Sequence, residues 1–168
     1  GIKKGDEIIT TSHTAFATIA AIVASEATPV FADIKENDFT IDTSKLLNLI
    51  TKKTKAIIAV HIYGNPVEIK TLVKIAKQKK IKLIEDCAQA HGAEYQRKKV
   101  GSFGLISCFS FYPTKNLSTF GDGGAVSTSN KKIYKKIKLL REYGWKKKNY
   151  SIIQSTNKRL DEIHAAIL

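Results

Sequence analysis

The chain has no methionine among its 168 residues, not even at position 1. It opens on "GIKKGDEIIT", which reads as the end of one element running into a strand, and stops at "LDEIHAAIL", in mid-pattern of an amphipathic helix. The expectation is a piece truncated at both ends, so length says little about domain count. Arginine is almost missing too: only Arg97, Arg141 and Arg159 among 28 basic residues, at a net charge of +13. Arginine is the residue for bidentate phosphate and base recognition, so its scarcity weakens a nucleic-acid reading of that charge. The lysines fall in pairs and one triple, Lys146-Lys147-Lys148, mostly on polar faces of helix-like segments, as a solvated surface would have them. A basic, non-enzymatic binding module remains the rival that the charge would suit.

Other absences narrow the field further. No apolar run approaches the roughly 18 residues of a membrane helix, and no charged-then-apolar leader is present. The expectation is a cytoplasmic protein with neither membrane nor nucleic acid as partner. Two cysteines, Cys87 and Cys108, lack any metal-like spacing and sit in apolar, strand-like contexts. Free buried thiols are expected, not a disulfide or zinc site. His13, His61, His91 and His164 share no ligand spacing either, so no metal is expected. There is no GxxxxGKS/T loop, no GxGxxG after a first strand, no GxSxG elbow and no HExxH.

What is present is alternation. Apolar, β-rich runs at 7–10, 29–33, 55–64, 82–86, 105–111 and 124–128 are interleaved with helix-period segments at 14–25, from Asp42, after Asn65-Pro66, and from Asn130 to Tyr143. Asn65 is expected to cap the third of these, with Pro66 as its first residue. Several strands are apolar nearly throughout, as strands covered on both faces must be, so the fold class is α/β with a mostly parallel sheet. In such sheets ligands gather at the carboxyl ends of the strands. Glu85 and Asp86, His61 and Tyr63, and Ser110 and Lys115 all lie at such exits.

A lysine leaving a strand into the glycine-rich "TKNLSTFGDGGA" can serve as an amine nucleophile. Alone it is an ordinary surface lysine; beside a strand-end aspartate it gains meaning. Pyridoxal phosphate chemistry needs a lysine to hold the cofactor as a Schiff base and a carboxylate to keep the ring nitrogen protonated. It also needs hydroxyls and backbone N–H groups around a phosphate. Lys115, Asp86 and Ser110 would fill those roles.

The chain resembles the DegT/DnrJ/EryC1/StrS aminotransferases, pyridoxal-phosphate enzymes that aminate keto-sugars attached to nucleotides. The resemblance is carried by "GDEIIT", "HTAFATIAAI", "ATPVFADI", "TKAIIAVHIYGNPVEI", "IEDCAQAHGAEY", "GSFGLISCFSFYPTKNLSTFGDGGAV", "LREYGW" and "NKRLDEIHAAIL", in that order. It implies the large cofactor-binding domain of the aspartate aminotransferase (type I) fold, helices on both sheet faces, with residues 1–168 as a partial large domain. The N-terminal segment and the C-terminal small domain would be missing. It also implies Lys115 as the cofactor lysine, Asp86 at the ring nitrogen, Gln89 beside the phenolic oxygen and Ser110 at the phosphate. Thr14 and Ala15 match the stretch that packs on the ring; with Ala15 where many members carry an aromatic, His13 or Phe16 would have to stack. Asn157 resembles an asparagine that reaches the phosphate of a neighbouring subunit, implying a homodimer with shared sites. The implied substrates are L-glutamate and a dTDP-3-keto-6-deoxyhexose, within surface-glycan biosynthesis. The sister pyridoxamine-dependent sugar dehydratases replace the lysine by histidine, and Lys115 argues against them. The chain departs from the family pattern at Ser118, Ser155 and His164. An inactive remnant is the remaining alternative.

Overall fold

The computed structural model describes residues 1–168. In chain order the elements are β1 (Glu7–Thr11), α1 (Phe16–Ala24), β2 (Thr28–Ala32), a short α2 (Leu46–Leu49), β3 (Thr54–Val60), a 3-10 turn (Ile62–Gly64), α3 (Ile69–Lys79) and β4 (Lys82–Asp86). There follow a ribbon of β5 (Glu94–Tyr95) and β6 (Lys98–Lys99), then β7 (Ile106–Ser110), β8 (Gly124–Ser127) and α4 (Lys131–Arg141). A second ribbon, β9 (Trp145–Lys147) with β10 (Tyr150–Ser151), precedes α5 (Glu162–Ile167).

Six strands form one sheet in the order β2-β1-β3-β4-β7-β8. Neighbours are parallel except β7 and β8, which are antiparallel. Because side chains alternate along a strand, the central strands β1, β3 and β4 feed two cores. Ile9, Ile57, Ala59 and Leu83 face one way and pack with Leu46 of α2 and Ile69, Leu72, Ile75 and Ala76 of α3. Ile8 and Ala56 face the other way and pack with Ile22 of α1, flanked by Ile58 and Ile84. Helices therefore cover both faces, as the continuous apolar strands require. Each fully buried Ile or Leu contributes on the order of 1.5–3 kcal/mol, so the α3 face is the better anchored of the two. The lysines of α4 point outward, its Asn130 accepts from Lys132 N–H and Ile133 N–H as an N-cap, and no helix is long and apolar enough to cross a membrane.

Three local expectations fail, each for a visible reason. Asn65 does not cap a helix: its Nδ2 donates to Asp38 O, and α3 begins only at Ile69. The intervening chain is claimed by His61, whose Nδ1 accepts from Val67 N–H while Val67 is buried at 0% exposure. The helix expected from Asp42 shrinks to Leu46–Leu49, because Asp42 Oδ1 instead accepts from the N–H and hydroxyl of Ser44 in a turn. Cys108 is exposed while Cys87 is buried, since Cys108 faces a groove beside α1 and Cys87 lies in a small core with Ala90 and Val100. Neither Ser118 nor Ser155 has a positive φ, so these replacements of glycine carry no backbone strain, and Ser155 Oγ donates to Leu140 O.

Candidate functional site

The last two residues of β4 are both acidic, and the two-residue period of a strand sends them to opposite faces. Glu85 takes the α3 face, where it is fully buried. Its Oε1 accepts from Phe103 N–H, Gly104 N–H and Ser107 Oγ, and its Oε2 from Gly101 N–H and His61 Nε2. Burial alone would push this carboxyl up; the His61 bond and the three backbone amides outweigh it and hold it at about 2. Because Val67 N–H can only donate to His61 Nδ1, the ring proton sits on Nε2 and points at Glu85. His61, Glu85 and Cys87 have ligand atoms within 4.8 Å of one another. That group is not a free metal cage: the carboxylate and imidazole are committed to these bonds, and burial drives the Cys87 thiol strongly upward.

Asp86 takes the α1 face and stays half-buried. Its Oδ1 accepts from Ala88 N–H at 3.1 Å and its Oδ2 from Thr18 Oγ1 at 2.8 Å. Thr14 Oγ1 lies 2.8 Å from Thr18 Oγ1. Asp86, Thr14, Ala15, Gln89 and Lys115 line a single small cavity beyond the ends of β3 and β4, together with His61. Gln89 and Lys115 also line a wider cleft of ≈ 720 Å³ alongside Tyr63, His91, Thr114 and Asn116. Lys115 is half-buried, its N–H donates to Tyr112 O, and it is not among the lysines held in ion pairs, which are Lys35, Lys45 and Lys99.

The other expected residues fall around this centre. Ser110 lines an adjoining, mostly apolar groove that shares Asp86 and Ala88 with the cavity, and its Oγ accepts from Tyr112 N–H. Asn157 lies apart from the cavity, bridged to Glu142, exposed, with its Oδ1 accepting from Arg159 N–H. Neither proposed stacking residue lines the cavity. Phe16 is 81% exposed at the start of α1, and His13 is engaged by Tyr63, its Nε2 3.0 Å from the hydroxyl, with the Phe39 ring centroid 5.8 Å from its own.

Sequence reasoning did not pick out Thr18, Asn116 or the use made of Tyr63. Tyr63 has φ 56, an uncommon conformation for a non-glycine residue, and its N–H donates to Gln89 Oε1 at 2.7 Å. A backbone N–H can only donate, so it fixes the Gln89 amide with its NH2 group turned outward. His91 Nδ1 bonds Asn116 Oδ1 at 2.9 Å, next to Lys115. The four-residue step from Thr14 to Thr18 was the available signal for Thr18; contacts between loops left none for the rest.

Comparison with known proteins adds a lineage to this geometry. The sequence matches the DegT/DnrJ/EryC1/StrS aminotransferase family over residues 1–168. A dTDP-3-amino-3,6-dideoxy-alpha-D-galactopyranose transaminase of Aneurinibacillus thermoaerophilus is 48% identical, covering 98% of this chain and 45% of the relative. A UDP-N-acetyl-3-dehydro-alpha-D-glucosamine 3-aminotransferase of Acidithiobacillus ferrooxidans is 42% identical, covering 99% of this chain and 45% of the relative. Among solved structures, that of S. venezuelae DesV in complex with a ketimine intermediate is similar with a TM-score of 0.95 at 42% identity, covering 99% of this chain and 45% of that one. The chain thus spans less than half the length of these relatives.

Proposed function

Because the chain belongs to the DegT/DnrJ/EryC1/StrS aminotransferase family, we propose that the protein carrying it is a pyridoxal-phosphate aminotransferase that moves an amino group from L-glutamate to a keto-sugar nucleotide. Residues 1–168 are then part of its large cofactor-binding domain. The observation that carries the reading is the convergence of Lys115, Asp86, Gln89 and Thr14 on one cavity at the carboxyl ends of the strands. The donor set fits the cofactor: an amine outside any ion pair, a carboxylate with one donor on each oxygen, and an amide locked with its NH2 outward.

When bound, the pyridoxal ring supplies an electron sink for the pair left behind as a proton departs from the carbon bearing the amine. Lys115 Nζ would hold the cofactor, and its free amine would accept the proton from the donor's Cα. Asp86 would keep a positive charge on the ring nitrogen. Gln89 Nε2 would donate to the phenolic oxygen, and Ser110 with nearby backbone N–H groups would hold the phosphate. Asn157, whose Oδ1 is occupied by Arg159 N–H, has its NH2 left to donate to the phosphate of a neighbouring copy in a homodimer.

The substrate we assign is a dTDP-3-keto-6-deoxyhexose, as the name of the A. thermoaerophilus relative suggests. The A. ferrooxidans relative acts, by its name, on a UDP sugar, so the nucleotide is the part of the assignment to test first. The decisive experiment is covalent trapping. The full-length protein loaded with pyridoxal phosphate is reduced with borohydride and digested, and the modified peptide is sequenced by mass. The label is expected on Lys115 and absent in Lys115→Ala; no label, or a label on another lysine, overturns the reading. Amino transfer from L-glutamate is then compared on dTDP- and UDP-linked 3-keto sugars, and turnover only on the UDP sugar would replace the nucleotide assignment.

A further inference from the structure

Helix α1 reads FATIAAIVA and holds no ionisable side chain; its one buried polar residue is Thr18, on the same inward face as Ile22. A hydroxyl on an apolar face is costly unless bonded, and this one is bonded to the carboxylate of a residue 68 positions away. We infer that the Thr14–Thr18 hydroxyl pair positions Asp86 for its task at the ring nitrogen, with Thr18 the positioning residue; this rests on the cofactor reading above.

The direction of the bonds follows from the inventory of protons. An ionised carboxylate only accepts, so Thr18 spends its single proton on Asp86 Oδ2. The contact between the two threonines must then run from Thr14 Oγ1–H to a lone pair of Thr18. Thr14 also lines the Lys115 cavity, so a two-hydroxyl chain leads from the cavity wall to the helix side of the carboxylate. On the other oxygen, Ala88 N–H completes the clamp. One donor per oxygen fixes a carboxyl rotation that is otherwise broad and two-fold.

The ionisable groups around Asp86 are His61 at the β3 exit, Glu85 on its own strand, Cys87 just beyond it, Cys108 on β7, and Lys115 in the cavity. None of them hydrogen-bonds to its carboxylate, which leaves the Thr18 hydroxyl as its side-chain donor. Without that donor the carboxylate competes better for the ring proton, and the ring loses positive charge.

The test compares wild type, Thr18→Val, Thr18→Ser and Thr14→Val in the full-length protein loaded with pyridoxal phosphate. Valine keeps the shape and removes only the hydroxyl. Loss of one hydrogen bond to a charged group predicts for Thr18→Val about a tenfold fall in kcat and an upward move of about one pH unit in the midpoint of the cofactor's visible absorbance change. KM for the amino donor should stay within about twofold, because the hydroxyl is spent on Asp86 and Thr18 does not line the Lys115 cavity. Thr18→Ser should restore both quantities, and the half-exposed Thr14→Val should move both in the same direction by less, giving a reading even if Thr18→Val does not fold. Wild-type absorbance behaviour in Thr18→Val, with the cofactor trapped on Lys115, overturns this inference alone. Failure of the wild type to bind the cofactor overturns both it and the proposed function.

Discussion

Replacing Glu85 by glutamine should destabilise the protein in a strongly pH-dependent way. Burial and bonding leave this carboxyl at about 2 in the fold, against an ordinary value of 4.5. At 1.36 kcal/mol per pH unit the difference corresponds to about 3 kcal/mol of folding free energy at neutral pH. The folded value lies below the unfolded one, so this stability is fully present above about pH 4.5 and is lost as the pH falls through the window toward about 2. Glutamine has nearly the same size but only one acceptor oxygen. Its NH2 would have to face either Gly101 N–H and His61 Nε2–H or the amides of Phe103 and Gly104, all of which donate. Orphaning those buried donors adds about 1–3 kcal/mol. Thermal unfolding of the full-length wild type and Glu85→Gln should therefore differ by several degrees at about pH 7, with the gap narrowing by about 1 kcal/mol at about pH 3.5 while the orphaned-donor part persists. A gap of equal size at both pH values would refute the reasoning, as would no gap at all.

Three shorter predictions follow from the same geometry. Gly144→Ala should lower stability by more than the roughly 1 kcal/mol of a mere glycine-to-alanine backbone penalty. The residue has φ +70 and an added Cβ would run into the Ile153 carbonyl, so wild-type denaturant midpoints in the variant would contradict the tight pairing of 141–144 with 152–158. Thiol labelling under native conditions should modify the exposed Cys108 and spare the buried Cys87 until unfolding; peptide mapping after timed labelling decides. Asp86→Ala should keep the borohydride-trapped cofactor on Lys115 but lose most amino transfer, and undiminished turnover would remove Asp86 from its assigned role.

The alternation of strands and helices was legible because it rests on local pattern. Residues such as Ile8, Ile9, Ala56 and Ile57 are apolar on both sides of the strand, and that demands cover on both faces. The start of the helix at Asn130 was legible, where nothing competed for it, and the cap expected at Asn65 was misread, where something did. The competitor at Asn65 was a buried histidine six residues before Val67, whose need for a donor no local pattern reveals. In the site, the order of motifs pointed to Asp86, Gln89 and Lys115, which do meet in one cavity. Tyr63 and Asn116 were not legible in these roles, because their significance lies in bonds to Gln89 and His91 that exist only once the loops have folded.

The dipeptide Glu85-Asp86 shows why type and position alone could not assign roles. Both residues are acidic, both end the same buried strand, and either could have been the carboxylate of a reaction centre. Folding separates them by one side-chain alternation. The α3 face brings Gly101, Phe103 and Gly104 close enough to fill every side of Glu85; even a Cβ on Gly104 would meet Leu83 O at 2.9 Å and Glu85 Cγ at 3.3 Å. A carboxylate so fully satisfied has no lone pair to offer a ligand, and its work is to hold the 101–104 loop and His61 in place. The α1 face supplies only one hydroxyl and one backbone N–H to Asp86, leaving each oxygen able to accept again. The incompletely satisfied carboxylate is therefore the one equipped to receive a cation from outside the chain, and its more tightly bound neighbour fixes the strand end from which it does so.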